Sequence, residues 1–350
     1  MKNTLLILFF FVSTITVAQD KEAVKKLVAE GIQLHDKGEY NGAIKKYDEA
    51  LAIDINDFDA NYEKSFSLYL AKRYDEAISM DKYILKELPG NPNEAAVYAN
   101  YGSALDDTGE KEKAMDIYNE GIKKYPDYYL LHFNKGLTLM RINKPDEALL
   151  SFQKTLELKP LHVSSNYYTG FILGRTNKIP SLLSNLIFLA LEPRTERSKQ
   201  AFERVQEIMY GNIKKSDNGS GTTITINSGL LDKKNKKKEN DFSAAEMMMG
   251  LMVVSTNDKQ LDKADDAEKL SLQLQLIINS ISVGVKDGKG FYWKFYVPFF
   301  IAVKQKEYMS TFAHIVLANK NDGAINKWLA DNKDKVDDFY FWLRNYKWII

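Results

Sequence analysis

From Val24 to Ile55 the apolar and small residues Leu27, Gly31, Leu34, Ala43, Tyr47 and Ala50 stand three or four apart on either side of Gly38, with charged residues between them. That spacing predicts two helices joined by a tight turn. The pattern then recurs. Ala43, Ala77, Ala114 and Ala148 are 34, 37 and 34 residues apart, and each lies twelve residues after Gly31, Ser65, Gly102 or Gly136. Small residues at the eighth and twentieth positions let the helices of a unit approach closely, while large residues at the fourth, eleventh and twenty-fourth fill the space between them. One unit cannot bury its apolar face alone, so four or five stack into a continuous solenoid core.

The first unit carries Leu27, Gly31, Leu34, Gly38, Tyr40, Ala43, Tyr47 and Ala50; the second keeps Leu68, Tyr74 and Pro89; the third has Tyr98, Gly102, Leu105, Gly109, Tyr118 and Pro126; the fourth has Gly136, Leu139, Phe152 and Pro160. On these residues the chain resembles the tetratricopeptide repeat family over about residues 22–193. A fifth unit from about Val163 keeps Gly170 and Leu173 but puts Leu182 where alanine belongs, with Pro180 just before it. Its second helix is expected to pack differently. The 37-residue step is accommodated by an extended turn, Pro89 to Glu94. Thr195 to Asn212, with Ala201, Val205, Ile208 and Met209 at helical spacing and charges opposite, fits a capping helix with a polar outer face. The expected fold class is all-α: a superhelix of four to five repeats with its capping helix over residues 22–212, a polar basic linker over 213–241, and a small aromatic-rich helical C-terminal domain over 242–350.

The resemblance implies a binding scaffold that does no chemistry and takes a protein or peptide partner in its concave groove. In this family positions two, five, nine and twelve of each first helix point into that groove. Here they give Tyr62, Phe66 and Tyr69, then Ala99, Ser103 and Asp106, then Phe133, Leu137 and Met140, and in the fifth unit Tyr167 and Phe171. The surface is apolar and aromatic, suited to an extended segment or a helix. The C-terminal domain could cover it instead.

The first eighteen residues read as a secretory signal: Lys2 is a short positive head, Leu5 to Val17 an apolar stretch, and Thr16-Val17-Ala18 a small-residue exit before Gln19. Export to the periplasm or cell surface follows, with no integral span expected in the mature chain, since the apolar run is well short of the roughly 20 residues a spanning helix needs. With no cysteine in the sequence, disulfides, thiolate metal sites and diacylglyceryl anchoring are excluded. Lys and Arg total 48 against 47 Asp and Glu, a balance that provides no long-range field to favour nucleic acid.

Ile213 to Asp241 is rich in Gly, Ser, Asn, Thr and Lys and is read as a linker with at most one short strand, Thr223 to Asn227. Its basic cluster, Lys233–Lys238, is either a solvated loop or a patch touching anionic headgroups or lipopolysaccharide of the envelope surface. Asn218-Gly-Ser matches a glycosylation sequon and is read as idle. Beyond the linker the period stops. Ser243 and Glu246 form a capping box that predicts a helix from about Phe242 to Val254, whose methionines are read as core filler. Ala264 to Val283 alternates like a strand at Leu270, Leu272, Leu274 and Leu276, but its length and acidic start favour a helix with Leu270, Leu274, Ile277, Ile278 and Ile281 on one face. Pro298 is expected to open a helix as a first-turn residue. Further helices are expected over 309–318, 322–330 and 333–347. Trp293, Trp328, Trp342 and Trp348 all lie in this block. Its aromatics are read as a core, against the alternative of an exposed partner or sugar-stacking platform.

The search for catalysis finds no HExxH, GxSxG or phosphate-loop pattern, and His35, His132, His162 and His314 are scattered. No cofactor, metal site or catalytic residue is predicted. His132 is expected to pack between helices. Asp106 and Asp107 are adjacent on a helix, diverge by about 100°, and so are not expected to act on one substrate together. The leading function is a non-catalytic scaffold of the bacterial cell envelope. The alternatives are a glycan-binding surface protein, or an enzyme with its site in the C-terminal domain.

Overall fold

The computed structural model describes residues 2–211, 213–215, 222–224, 239–255 and 265–349. The chain forms two compact units that part between Ser151 and Phe152. The first holds α1 (Lys2–Asp36), α2 (Tyr40–Ile53), α3 (Phe58–Leu70), α4 (Tyr74–Glu87), α5 (Glu94–Asp107), α6 (Lys111–Lys124), α7 (Tyr129–Arg141) and the start of α8 (Pro145–Leu158). First helices have odd numbers and second helices even ones.

Each of the four repeats reverses direction by the same device. Gly38, Lys72, Gly109 and Asn143 sit in the left-handed region, at φ of 79°, 61°, 89° and 59°. The next N–H then returns to the carbonyl five residues back, Glu39 to Leu34, Arg73 to Leu68, Glu110 to Leu105 and Lys144 to Leu139, at 2.8 to 2.9 Å. This C-terminal cap satisfies carbonyls that the helix leaves open. Small residues at the helix crossings then allow close packing: Ala43, Ala77, Ala114 and Ala148 are all fully buried. A Cβ added at Gly31 or Gly102 would stand 2.3 Å from the ring of Tyr47 or Tyr118.

The second unit contains the rest of α8, then α9 (Val163–Leu173), α10 (Lys178–Leu191), α11 (Glu196–Tyr210), two short strands β1 (Ile213–Lys215) and β2 (Thr222–Ile224), α12 (Ser243–Ser255), α13 (Asp266–Val283), α14 (Phe291–Gln305), α15 (Met309–Leu317), a 3-10 turn, α16 (Gly323–Asp331) and α17 (Lys333–Asn345). At its centre is α10, in which every residue from Ile179 to Ala190 is buried. A helix apolar on all sides requires partners on all sides. It packs on α9 and α11, and also on α12, α14 and α15. Leu182, which stands where the repeat pattern puts alanine, is fully covered, as are Leu186 and Leu189. Polar bonds fix the same contact: Tyr296 OH donates to Asn166 Oδ1 at 3.1 Å, and Tyr340 OH donates to the Ala190 carbonyl at 2.8 Å.

Several expectations are corrected here. The compact units do not part at the linker, because the fifth helix pair and α11 bury their apolar faces with the C-terminal helices. The helix α11 is closed at its start by Thr195 and Ser198, yet it does not end the packing: Tyr210 OH donates to Gln273 Oε1 of α13 at 2.6 Å. Glu246 does not complete a capping box with Ser243. Its Oε1 accepts from the Lys178 N–H at 2.8 Å and so caps α10. Pro298 lies in the interior of α14, whose first residue is Phe291; burial of Tyr292, Phe295, Tyr296, Phe299 and Phe300 outweighs the helix bond that proline cannot make. At most one strand was expected in the linker, at 223–227, but two are present: β2 covers 222–224 and pairs antiparallel with β1, while 225–227 lie outside the described residues. Lys233–Lys238 and Asn218 lie outside the described residues. The helices expected over 264–283, 309–318, 322–330 and 333–347 are α13, α15, α16 and α17.

Candidate functional site

The candidate surface is built on the first helices of the first unit, chiefly α3 and α7, with His35 from α1 and Ser103 from α5, while α5 is otherwise almost wholly buried. On α3, Asp59, Tyr62, Glu63, Phe66 and Tyr69 recur at helical spacing and share a side. Their rings form a ladder: Phe58 to Tyr62 at 6.4 Å, Tyr62 to Phe66 at 6.3 Å and nearly parallel, and Phe66 to the His35 imidazole at 5.0 Å. His35 Nδ1 is 2.7 Å from Ser67 Oγ, which holds the imidazole in place. Burial pushes the Tyr62 and Tyr69 hydroxyls up and His35 down from their ordinary values.

A chain of polar contacts runs from α3 across α5 to α7. Tyr69 OH donates to Asp107 Oδ2 at 2.9 Å. Arg141 Nη1 donates to Asp106 and also to Asp107 Oδ1, the latter at 3.0 Å. Thr138 Oγ1 adds a bond to Asp106 Oδ2 at 2.7 Å. Asn134 Nδ2 donates to Ser103 Oγ at 3.0 Å. The adjacent aspartates therefore do converge, contrary to the divergence expected of them, because the long arginine side chain reaches both.

Of the eleven residues expected to line a groove, Tyr62, Phe66, Tyr69, Ser103, Phe133, Leu137 and Met140 are half-buried in the first unit. Ala99 and Asp106 are buried and act in packing. The remaining two belong to the second unit. Phe171 is 51% exposed, whereas Tyr167 is buried. Its hydroxyl donates to Gln200 Oε1 at 2.6 Å and the Arg204 guanidinium stands 4.7 Å from its ring, so α11 covers it. Three expected lining residues, Ala99, Asp106 and Tyr167, are thus corrected. His35, Asp59 and Glu63 were missed, although the four-residue step from Asp59 to Glu63 was a readable signal.

No group of three His, Asp or Glu among the described residues could hold a metal ion. The histidines serve local structure. His132 Nε2 is 2.8 Å from the Pro126 carbonyl. His162 caps α9, and burial pushes it down to about 4. His314 stacks on Trp328 at 3.6 Å. Among the described residues no helix is long and apolar enough to cross a membrane.

Residues 31–70 match the family described as TPR repeat, and residues 95–128 that described as tetratricopeptide repeat. The chain is 28% identical over 120 residues to mouse protein O-mannosyl-transferase TMTC3, covering 34% of this chain and 13% of that protein. It is 28% identical over 127 residues to a TPR repeat-containing protein of Methanocaldococcus jannaschii, covering 36% of this chain and 22% of that protein. To a photosystem I assembly protein Ycf3 of Prochlorococcus marinus it is 26% identical over 115 residues, 29% of this chain and 66% of that protein. It thus spans between 13% and 66% of the length of these relatives. Among solved structures, PilF of Pseudomonas aeruginosa aligns with a TM-score of 0.48 at 21% identity, over 54% of this chain and 86% of that one. A thermophilic TPR protein of Thermus thermophilus aligns at 0.45 and 18% identity, over 52% and 99%. Two segments of the first unit are thus matched as tetratricopeptide repeats, and the recurring turns and buried alanines around them keep the same period, so the chain contains tetratricopeptide repeats.

Proposed function

We propose that this chain is a non-catalytic scaffold of the bacterial cell envelope that binds a protein or peptide partner on the first-helix face of its first unit, around Tyr62, Phe66, Tyr69 and Phe133. The observation that carries the reading is the ring ladder on α3, continued by half-buried Phe133, Leu137 and Met140 on α7. Rigid aromatic side chains that stay partly open supply contact area at low entropic cost. The name of the Prochlorococcus relative, an assembly protein, supports the same class of function. A photo-crosslinking residue placed at Phe66 or Phe133 should capture the partner in envelope extract. One placed at Ile55, 65% exposed just past the end of a second helix, should not. Capture from Ile55 alone would contradict the reading.

The envelope location rests on the apolar stretch Leu5 to Val17 and the small residues that follow it. On this proposal cleavage after Ala18 gives a mature chain starting at Gln19. Intact-mass measurement of the protein from its native host tests it. A mass that includes residues 1–18 would contradict cleavage.

A further inference from the structure

The aromatic ladder carries carboxylates on its flank. Asp36 is the last residue of α1, where the helix dipole adds partial negative charge. Asp59 and Glu63 stand one turn apart on α3. Burial, then Asp59, then Asp36 push the Glu63 carboxyl above its ordinary range, so the three acids share one neighbourhood. Several other carboxylates of this unit have a cation beside them. Asp48 pairs with Lys64 at 2.7 Å, Glu76 with Arg73 at 2.6 Å, and Asp106 and Asp107 with Arg141. Among the described residues Asp36, Asp59 and Glu63 are in no ion pair.

A half-buried carboxylate beside like charges and without a counter-charge is costly, and the cost is relieved by a cation from outside. The faces of Tyr62 and Phe66 are themselves negative and attract a cation within about 6 Å. Charge and ring geometry therefore favour the same ligand group. We infer that the partner presents a basic segment, one lysine or arginine of which docks beside Glu63 and Asp36 against the Tyr62 and Phe66 rings. This rests on the first-helix face being the partner site, and it names the chemistry of what that face takes. An acidic segment would be repelled at Glu63, because the Arg141 cation at the far end is already bonded to two aspartates.

The test is a selection of random displayed peptides of fixed length on the full chain, followed by affinity measurement of the enriched peptides at low and high salt. Enrichment of Lys and Arg is expected, with affinity falling roughly tenfold at high salt. The double variant Glu63→Gln, Asp36→Asn should weaken these peptides at least about fivefold. Selection of acidic or uncharged peptides would overturn the inference, as would affinities unmoved by Glu63→Gln. If those same peptides are weakened by Tyr62→Ala and Phe66→Ala, the face survives and only the basic partner class fails. If neither pair of substitutions changes binding, the face itself is wrong.

Discussion

Ser65 Oγ donates to Asp81 Oδ1 at 2.5 Å, in the place where the first and third repeats set a glycine against a tyrosine ring. Gly31 faces Tyr47 and Gly102 faces Tyr118; the second repeat has enlarged the small partner and replaced the ring with a carboxylic acid. Asn100 Nδ2 completes the arrangement, donating to Asp81 Oδ2 and to Ser65 Oγ, each at 2.9 Å. Asp81→Tyr alone should therefore drive a ring into the Ser65 side chain and destabilise the unit by about 1–3 kcal/mol. Adding Ser65→Gly should recover most of the loss. Urea unfolding of the single and double variants measures the coupling, and equal losses in both would contradict the exchange.

The same acid makes stability depend on pH. Burial pushes the Asp81 carboxyl from 3.8 up to about 7, against the opposing bonds from Ser65 and Asn100. Between those values the folded chain keeps a proton that the unfolded chain gives up. The contribution of this group is thus full below about pH 4, falls as pH rises towards 7, and then levels off. The other titratable groups that sense it, Tyr62 on α3 and Tyr101 on α5, are raised further above this window. Asp81→Asn removes the proton exchange, so wild type should lose ground to the variant as pH rises from 4 to 7. Parallel melting curves across that range would be the contrary result.

Lys72 occupies the left-handed turn position at φ 61° that glycine fills in two other repeats. A Cβ there costs about 1 kcal/mol. Lys72→Gly should accordingly raise the urea midpoint. Gly38→Ala and Gly109→Ala should lower it by a similar amount, since nothing lies within 4 Å of a Cβ at either site and the effect is conformational alone. No change in the midpoint would show that the turn tolerates a side chain freely.

Glu246 caps α10 from a distance of 68 residues in sequence, accepting from the N–H groups of Lys178 at 2.8 Å and Ile179 at 3.4 Å. Glu246→Ala should cost about 1–2 kcal/mol and speed hydrogen exchange at the start of α10, while Glu246→Gln keeps an acceptor and most of the protection. Exchange unaltered by Glu246→Ala would mean that the bond contributes nothing.

The repeats were legible because close helix packing demands small residues at fixed places, and Gly31, Ala43, Gly102 and Ala114 state that demand directly. At position four Tyr98 and Leu27 pack into the core as expected, but the other two repeats depart from this. Asn61 and His132 instead reach the carbonyl six residues back, Ile55 at 2.9 Å and Pro126 at 2.8 Å, and tie down the turn between repeats. Such a tether has no periodicity to announce it. The compact boundary was hidden because it depends on what covers α10, and Glu246, Tyr296 and Tyr340 reach it from far along the chain. At the candidate site, Tyr62, Phe66 and Tyr69 come from the groove positions that the family resemblance implies. That resemblance could not tell that Tyr167 lies beneath Arg204 and Gln200 of the following helix.

The central claim, that the first-helix face of the first unit is the partner site, is tested most directly by the triple variant Tyr62→Ala, Tyr69→Ala, Phe133→Ala. Its affinity for a partner identified with the wild-type chain should fall by at least about tenfold, a loss of roughly 1.4 kcal/mol or more, while far-ultraviolet circular dichroism stays unchanged. Undiminished affinity in a variant that keeps its helical signal would contradict the account.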